Sequence, residues 1–243
     1  MLQAYNWVQY ADNAAELVIA AAGILTAFFT LRKNSKYIGS RMLALGTTLI
    51  GFYGLCVFTY DISAAFVDPT IELALIYVFL RLSMLCILFG TMSLYFAFQI
   101  VVQTEDWLKE KKHTWPYILG ICIYGVIFYT WTDAIQNVTL TPVVNNHINL
   151  IMVAILGVSV VLFMVAIIRN LVKFGIKHAE GEKKIKMTYA VLGFTIALAS
   201  VFINIASVIV SDLVTYQILV LSFFLVLAAG ISIVAYGFIT PGA

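Results

Sequence analysis

The stretch Glu72–Gln99, ELALIYVFLRLSMLCILFGTMSLYFAFQ, holds one full charge between its ends, Arg81. A run of more than about 20 apolar residues reads as a transmembrane helix, because only a helix satisfies every backbone N–H and C=O within hydrocarbon. Arg81 then lies inside the bilayer, roughly 15 Å along the helix from Ile71 at a rise of about 1.5 Å per residue. Holding a guanidinium there costs several kcal/mol unless a partner or water is supplied. Tyr77, Met84, Leu88, Tyr95 and Gln99 share its face at helical spacing, the face expected to turn into a bundle.

The rest of the chain has the same character. With 63% hydrophobic and 11% charged residues and a mean hydropathy of +1.01, it belongs to the polytopic membrane class and not to soluble globular domains or nucleic-acid binders. Seven spans are predicted, at residues 14–31, 42–60, 72–102, 115–131, 148–168, 187–210 and 217–240. The expected fold is an all-α bundle of seven transmembrane helices, one domain over residues 1–243, multi-pass in the cell membrane. MLQAYNWVQYADN lacks a basic region followed by a small-residue cleavage site, so the first span is not read as a cleaved signal peptide.

Orientation follows from the basic residues, which cytoplasmic loops retain. Arg32, Lys33, Lys36 and Arg41 fall between spans 1 and 2, Lys109, Lys111 and Lys112 between 3 and 4, and Arg169, Lys173, Lys177, Lys183, Lys184 and Lys186 between 5 and 6. Arg81 is the remaining one. The opposite loops hold Asp61, Asp68, Asp133 and Asp212 and no Lys or Arg, so the N-terminus is expected outside and the C-terminus inside. Trp7 and Trp131 fall at the outer boundary and Trp107 and Trp115 at the inner one, where amphipathic rings prefer the headgroups. Cys56, Cys86 and Cys122 all lie within spans and read as buried small hydrophobes. Small residues line span 2 (Ala44, Thr47, Gly51, Gly54) and span 6 (Gly193, Ala197, Ser200, Asn204, Ser207, Ser211), which suits close helix packing.

Chemistry is sparse. No HExxH, acidic metal cluster or glycine-rich phosphate loop occurs, span 7 has no Lys for a retinal Schiff base, and His113, His147 and His178 lie near or beyond membrane boundaries. No enzyme and no cofactor is expected. The candidate ligand site is an outer-half pocket in which Arg81, Tyr77, Asn204 and Ser222 lie at comparable depth below Glu16, Tyr60 and Asp61. There Arg81 meets a small anionic ligand, since its planar fork binds carboxylates bidentately. The competing reading is an internal salt bridge from Arg81 to Asp61 or Glu16. Lys173, Lys177, Lys183, Lys184 and Lys186 form the candidate contact for a cytoplasmic signalling protein, with a solvated loop bound to lipid headgroups as its alternative.

Three stretches, LALGTTLIGFYGLCVFTYD, YVFLRLSMLCILFGTMSLYFAF and RNLVKF…GEKKIKMTYAVLGFTIA, together resemble the seven-helix sensor region N-terminal to some prokaryotic histidine kinases. The closest features are Arg81-Leu82 early in span 3 and a basic loop entering the helix that contains Gly193. The resemblance implies reception of an outside or membrane signal. This chain carries no kinase segment, so output is expected to need a separate partner. The chain also resembles G-protein-coupled receptors in topology, without a DRY or NPxxY motif. The expected function is receptor-like or sensor-like, with a small transporter or channel, or an accessory subunit of a membrane complex, as alternatives.

Overall fold

The computed structural model describes residues 7–66, 69–103, 110–130, 135–139, 145–148, 150–210 and 212–239. Its helices are α1 (Trp7–Asn34), α2 (Ile38–Phe66), α3 (Pro69–Gln103), α4 (Lys111–Thr130), α5 (Leu150–Asn170), α6 (Gly181–Ile209) and α7 (Leu213–Ile239). A π-helical turn, Leu171–Ile176, continues α5. Strands β1 (Ile135–Thr139) and β2 (Asn145–Ile148) pair antiparallel between α4 and α5, with Asn137 opposite His147. Six helices, α1–α3 and α5–α7, are long and apolar enough to cross a membrane, which makes this a multi-pass membrane protein. The apolar part of α4, Thr114–Thr130, is shorter.

The six long helices close a ring: α1 packs on α2, α2 on α3, α3 on α5, α5 on α6, α6 on α7, and α7 back on α1. Glycine permits the closest approach. A Cβ on Gly193 would stand 2.6 Å from the Gly230 carbonyl oxygen, so α6 and α7 meet backbone to backbone. The small-residue stripe of α6 follows that seam, with Gly193, Ala197, Ser200 and Ser207 buried. Within α3, residues 90–100 are buried without interruption. Aromatic rings fix it there: Tyr95 lies 5.5 Å from Phe163 of α5, and Phe98 meets Phe194 of α6 edge-on at 5.5 Å. A segment packed on all sides has no polar face, which suits the uncharged run 90–100; earlier in α3, Val78 and Leu82 are exposed apolar side chains.

α4 hangs outside this ring. It runs antiparallel to α3, with Gly125 against Leu85, and the Tyr124 hydroxyl donates to the Met152 carbonyl of α5 at 3.4 Å. Trp115, Leu119, Ile123 and Val126 are exposed along it. The end of the bundle carrying Asp12, Asp61, Asp212 and the hairpin is called the acidic end below; the end carrying Arg32, Lys33, Arg169 and the α5–α6 connection is the basic end.

Several expectations change. α4 begins at Lys111 instead of residue 115, so Pro116 falls inside the helix, where it has no N–H for the Lys112 carbonyl. Cys122 is exposed on α4, whereas Cys56 and Cys86 are buried, because α4 has neighbours on only part of its circumference. The connection after α4 contains the two-stranded hairpin. Trp107, Trp131, Asp68, Asp133, Lys109 and Ser211 lie outside the described residues.

Candidate functional site

Asp12 and Glu16 stand one turn apart on α1 and so share a face. That face meets α2 closely: a Cβ on Gly54 would lie 2.7 Å from the Glu16 carbonyl oxygen, leaving room only for glycine. The contact brings the Glu16 side chain to the last turns of α2, where its carboxyl interacts with that of Asp61 and, on its own helix, with Asp12. Tyr53 and Tyr60, two turns apart on α2, lie within electrostatic reach of both Glu16 and Asp61. Tyr216, in the first turn of α7, reaches Asp61 and Asp12. Three carboxyls and three phenols from α1, α2 and α7 therefore converge.

This cluster is enclosed at its centre. Glu16 is 0% exposed, and Asp12, Tyr53 and Tyr60 are buried. No N–H and no hydroxyl donates to either Glu16 carboxyl oxygen or to Asp12 Oδ1; the group facing the Glu16 carboxyl is the Asp61 carboxyl. The groups acting on Glu16 are Asp61 and Asp12, both acidic. Two facing carboxylates have only acceptors to offer one another; a hydrogen bond between them requires that one carry a proton. Buried polar groups are normally satisfied, so an orphaned Glu16 marks a place where something other than stability shaped the sequence.

Arg81 lies elsewhere. Its Nη1 donates to the Tyr129 carbonyl of α4 at 2.6 Å, and its guanidinium sits 5.7 Å from the centre of the Tyr129 ring. Tyr129 is the penultimate residue of α4, so its carbonyl is one of those a helix leaves without an intrahelical partner. A cation there also meets the negative end of the helix dipole. Tyr77, one turn earlier on α3, is half-buried. On α6, Asn204 is half-buried and its carbonyl accepts from Ser207 Oγ at 2.7 Å. Ser222 Oγ donates to the Ile218 carbonyl of its own helix at 2.7 Å.

The expected pocket thus divides: Glu16, Tyr60 and Asp61 meet as a group with Asp12, Tyr53 and Tyr216, while Arg81 attends to α4. Asp12 was legible in the sequence through its four-residue spacing from Glu16; Tyr216 gave no such signal, since α7 begins before the predicted span. At the basic end, Lys173, Lys177, Lys183 and Lys184 are exposed and Lys186 is half-buried. Lys173 Nζ lies 4.9 Å from the Phe174 ring centre, and Lys186 pairs with Glu182 one turn before it. α6 starts at Gly181, whose φ of 53° is the left-handed conformation glycine adopts freely.

Outside the spans, Asp212 caps α7. Its Oδ2 accepts from the Thr215 N–H at 2.8 Å and the Thr215 hydroxyl at 2.6 Å, which holds its carboxyl below the usual aspartate range. Among the described residues, no group of three or more His, Cys, Asp or Glu side chains is arranged to hold a metal ion. No protein-family model matches this chain, and no curated protein matches it.

Proposed function

We propose that this is a sensor-like, seven-span protein of the cell membrane, N-terminus outside, that reads protons or another cationic species at its acidic end and signals through a partner at its basic end. The observation carrying this reading is Glu16: wholly enclosed, with no N–H or hydroxyl donor, and faced by two further carboxyls. Three negative charges in an enclosed site repel strongly, so the cluster is stable only when it shares protons or takes a cation, and its occupancy depends on the outside solution. The lack of a metal-ligating arrangement among the described residues favours the proton. Because the cluster joins α1, α2 and α7, a change in its charge acts on the seams where those helices meet. Arg81, engaged with the end of α4, serves as a strut more readily than as an anion anchor. The seventh crossing is α4, whose antiparallel course beside α3 and 17 apolar residues, about 26 Å of helix, fit a slightly thinned bilayer.

The test is infrared difference spectroscopy of the protein in lipid across a pH series, paired with hydrogen exchange at residues 171–186. The expected result is a protonated-carboxyl band at neutral pH that Glu16→Gln removes, with protection of the 171–186 amides, relative to their intrinsic exchange rate at each pH, that changes with pH in the wild type only. A spectrum without such a band, or wild-type protection that is constant across the pH series, would sink the reading.

A further inference from the structure

At the basic end, a cavity of about 230 Å³ opens among the α1–α2 connection, the end of α3 and the start of α6. Its polar wall is built from Lys33, Thr30, Tyr37 and Ser40, and its floor includes Phe98 and Met187. The polar wall is held in place. Asn34 Oδ1 accepts from the Tyr37 N–H at 3.2 Å, Arg41 Nε donates to the Ser35 carbonyl at 2.7 Å, and the Tyr37 ring packs on Gly39. Thr26 and Thr47, on the same two helices, donate their hydroxyls to carbonyls one turn back; Thr30 and Ser40 donate to no carbonyl among the described residues. The depth is telling as well. The apolar spans of α1 and α3 end at Asn34 and Val101, and that of α2 begins at Ile38, so the cavity sits where hydrocarbon gives way to headgroups.

A cation, hydroxyl donors and an apolar floor at that depth match one chemistry, an anionic phosphate ester carrying an apolar tail. We propose that this cavity binds the phosphate of such an ester, with Lys33 as its charge partner, Thr30 and Ser40 as hydroxyl donors, and the first methylenes lying on Phe98 and Met187. Occupancy would tie the α1–α2 connection to α6. This inference stands apart from the acidic end and does not depend on it.

Native mass spectrometry of the full chain in detergent, titrated separately with phosphatidylglycerol, phosphatidylcholine and glycerol 3-phosphate, tests it. Phosphatidylglycerol should be retained over phosphatidylcholine, and Lys33→Gln should weaken that retention about tenfold, the loss of one charge-assisted contact. Lys33→Arg should restore it. Lys36→Gln, which removes an equal charge from the same connection but not from the cavity, should change it less than about twofold. Lys33 is exposed, so its variants should remain folded, as the elution profile would verify. Glycerol 3-phosphate retained as tightly as the lipid, and lost with Lys33, would support the phosphate contact with a soluble source and overturn the seat for an apolar tail on Phe98 and Met187. Equal losses in Lys33→Gln and Lys36→Gln, or equal binding of the two lipids, would overturn the proposal in favour of general attraction to a basic surface.

Discussion

At Tyr129 a helix ends with an unpaired carbonyl, and Arg81 is the side chain that reaches it. The expected consequence of Arg81→Gln is a loss of about 1–3 kcal/mol, combining the helix-end contact with the cation–π contact. It should appear as faster hydrogen exchange in the last turn of α4 while the ring of six helices stays protected. Unchanged exchange there would deny Arg81 this role. The sequence established that a buried arginine must find a partner, and it offered Glu16, Asp61 or a ligand. It could not offer a main-chain carbonyl, because that choice depends on which helix stands beside α3. Asp212 gives a prediction of pH dependence. Its carboxyl is held below the ordinary aspartate range in the folded protein, so its contribution is present above the unfolded value and is lost as pH falls through the folded one. Protection of the 213–216 amides, relative to their intrinsic exchange rate at each pH, should therefore fall in acid. In Asp212→Asn, which caps without titrating, that dependence should vanish.

Between elements, the sequence was most legible where small residues recur at helical spacing. Gly193 and Ala197 lie against Gly230 of α7, and Ser200 and Ser207 of the same stripe are buried. Gly193→Ala would set a methyl group 2.6 Å from the Gly230 carbonyl oxygen and should cost about 1–3 kcal/mol as the helices part. Gly120→Ala on α4 meets nothing within 4 Å and should be neutral or gain up to about 1 kcal/mol in helix propensity. Thermal unfolding in one detergent would rank the pair, and equal melting temperatures would contradict the packing described for α6 and α7. Glu16 belongs at this scale too. Glu16→Met removes an orphaned acid from the α1–α2 seam and should stabilise the protein by about 1–3 kcal/mol while abolishing its response to pH. A destabilised Glu16→Met protein would mean that the carboxyl is satisfied after all. What the sequence could not supply was the order of helices around the ring, since an apolar helix wheel shows which face is buried but not against which neighbour.

For the whole molecule, the alternation of basic and acidic connections fits the seven-span reading, and α4 decides it. If α4 crosses, single cysteines introduced at Lys36 and Lys183 should react with an impermeant maleimide from the same side, and one at Asp212 from the other. If α4 does not cross, Lys36 and Lys183 should report opposite sides. Chain length and hydropathy made the number of apolar segments readable. They left open that six of them close a ring while one packs on its outside through Ile121, Tyr124 and Phe128, because lipid-facing and protein-facing apolar residues have the same composition. That outlying helix separates the chain into two triplets, α1–α3 and α5–α7, joined across two seams: α3 on α5 and α7 on α1. Each triplet is a hairpin with a third helix added, able to enter a bilayer before the other is made. Severing the polypeptide between residues 103 and 110 and co-expressing the pieces should therefore give fragment complementation, with the halves purifying together. Continuity of the backbone would then be a convenience of synthesis, and helix-to-helix fit the bond that holds the halves together.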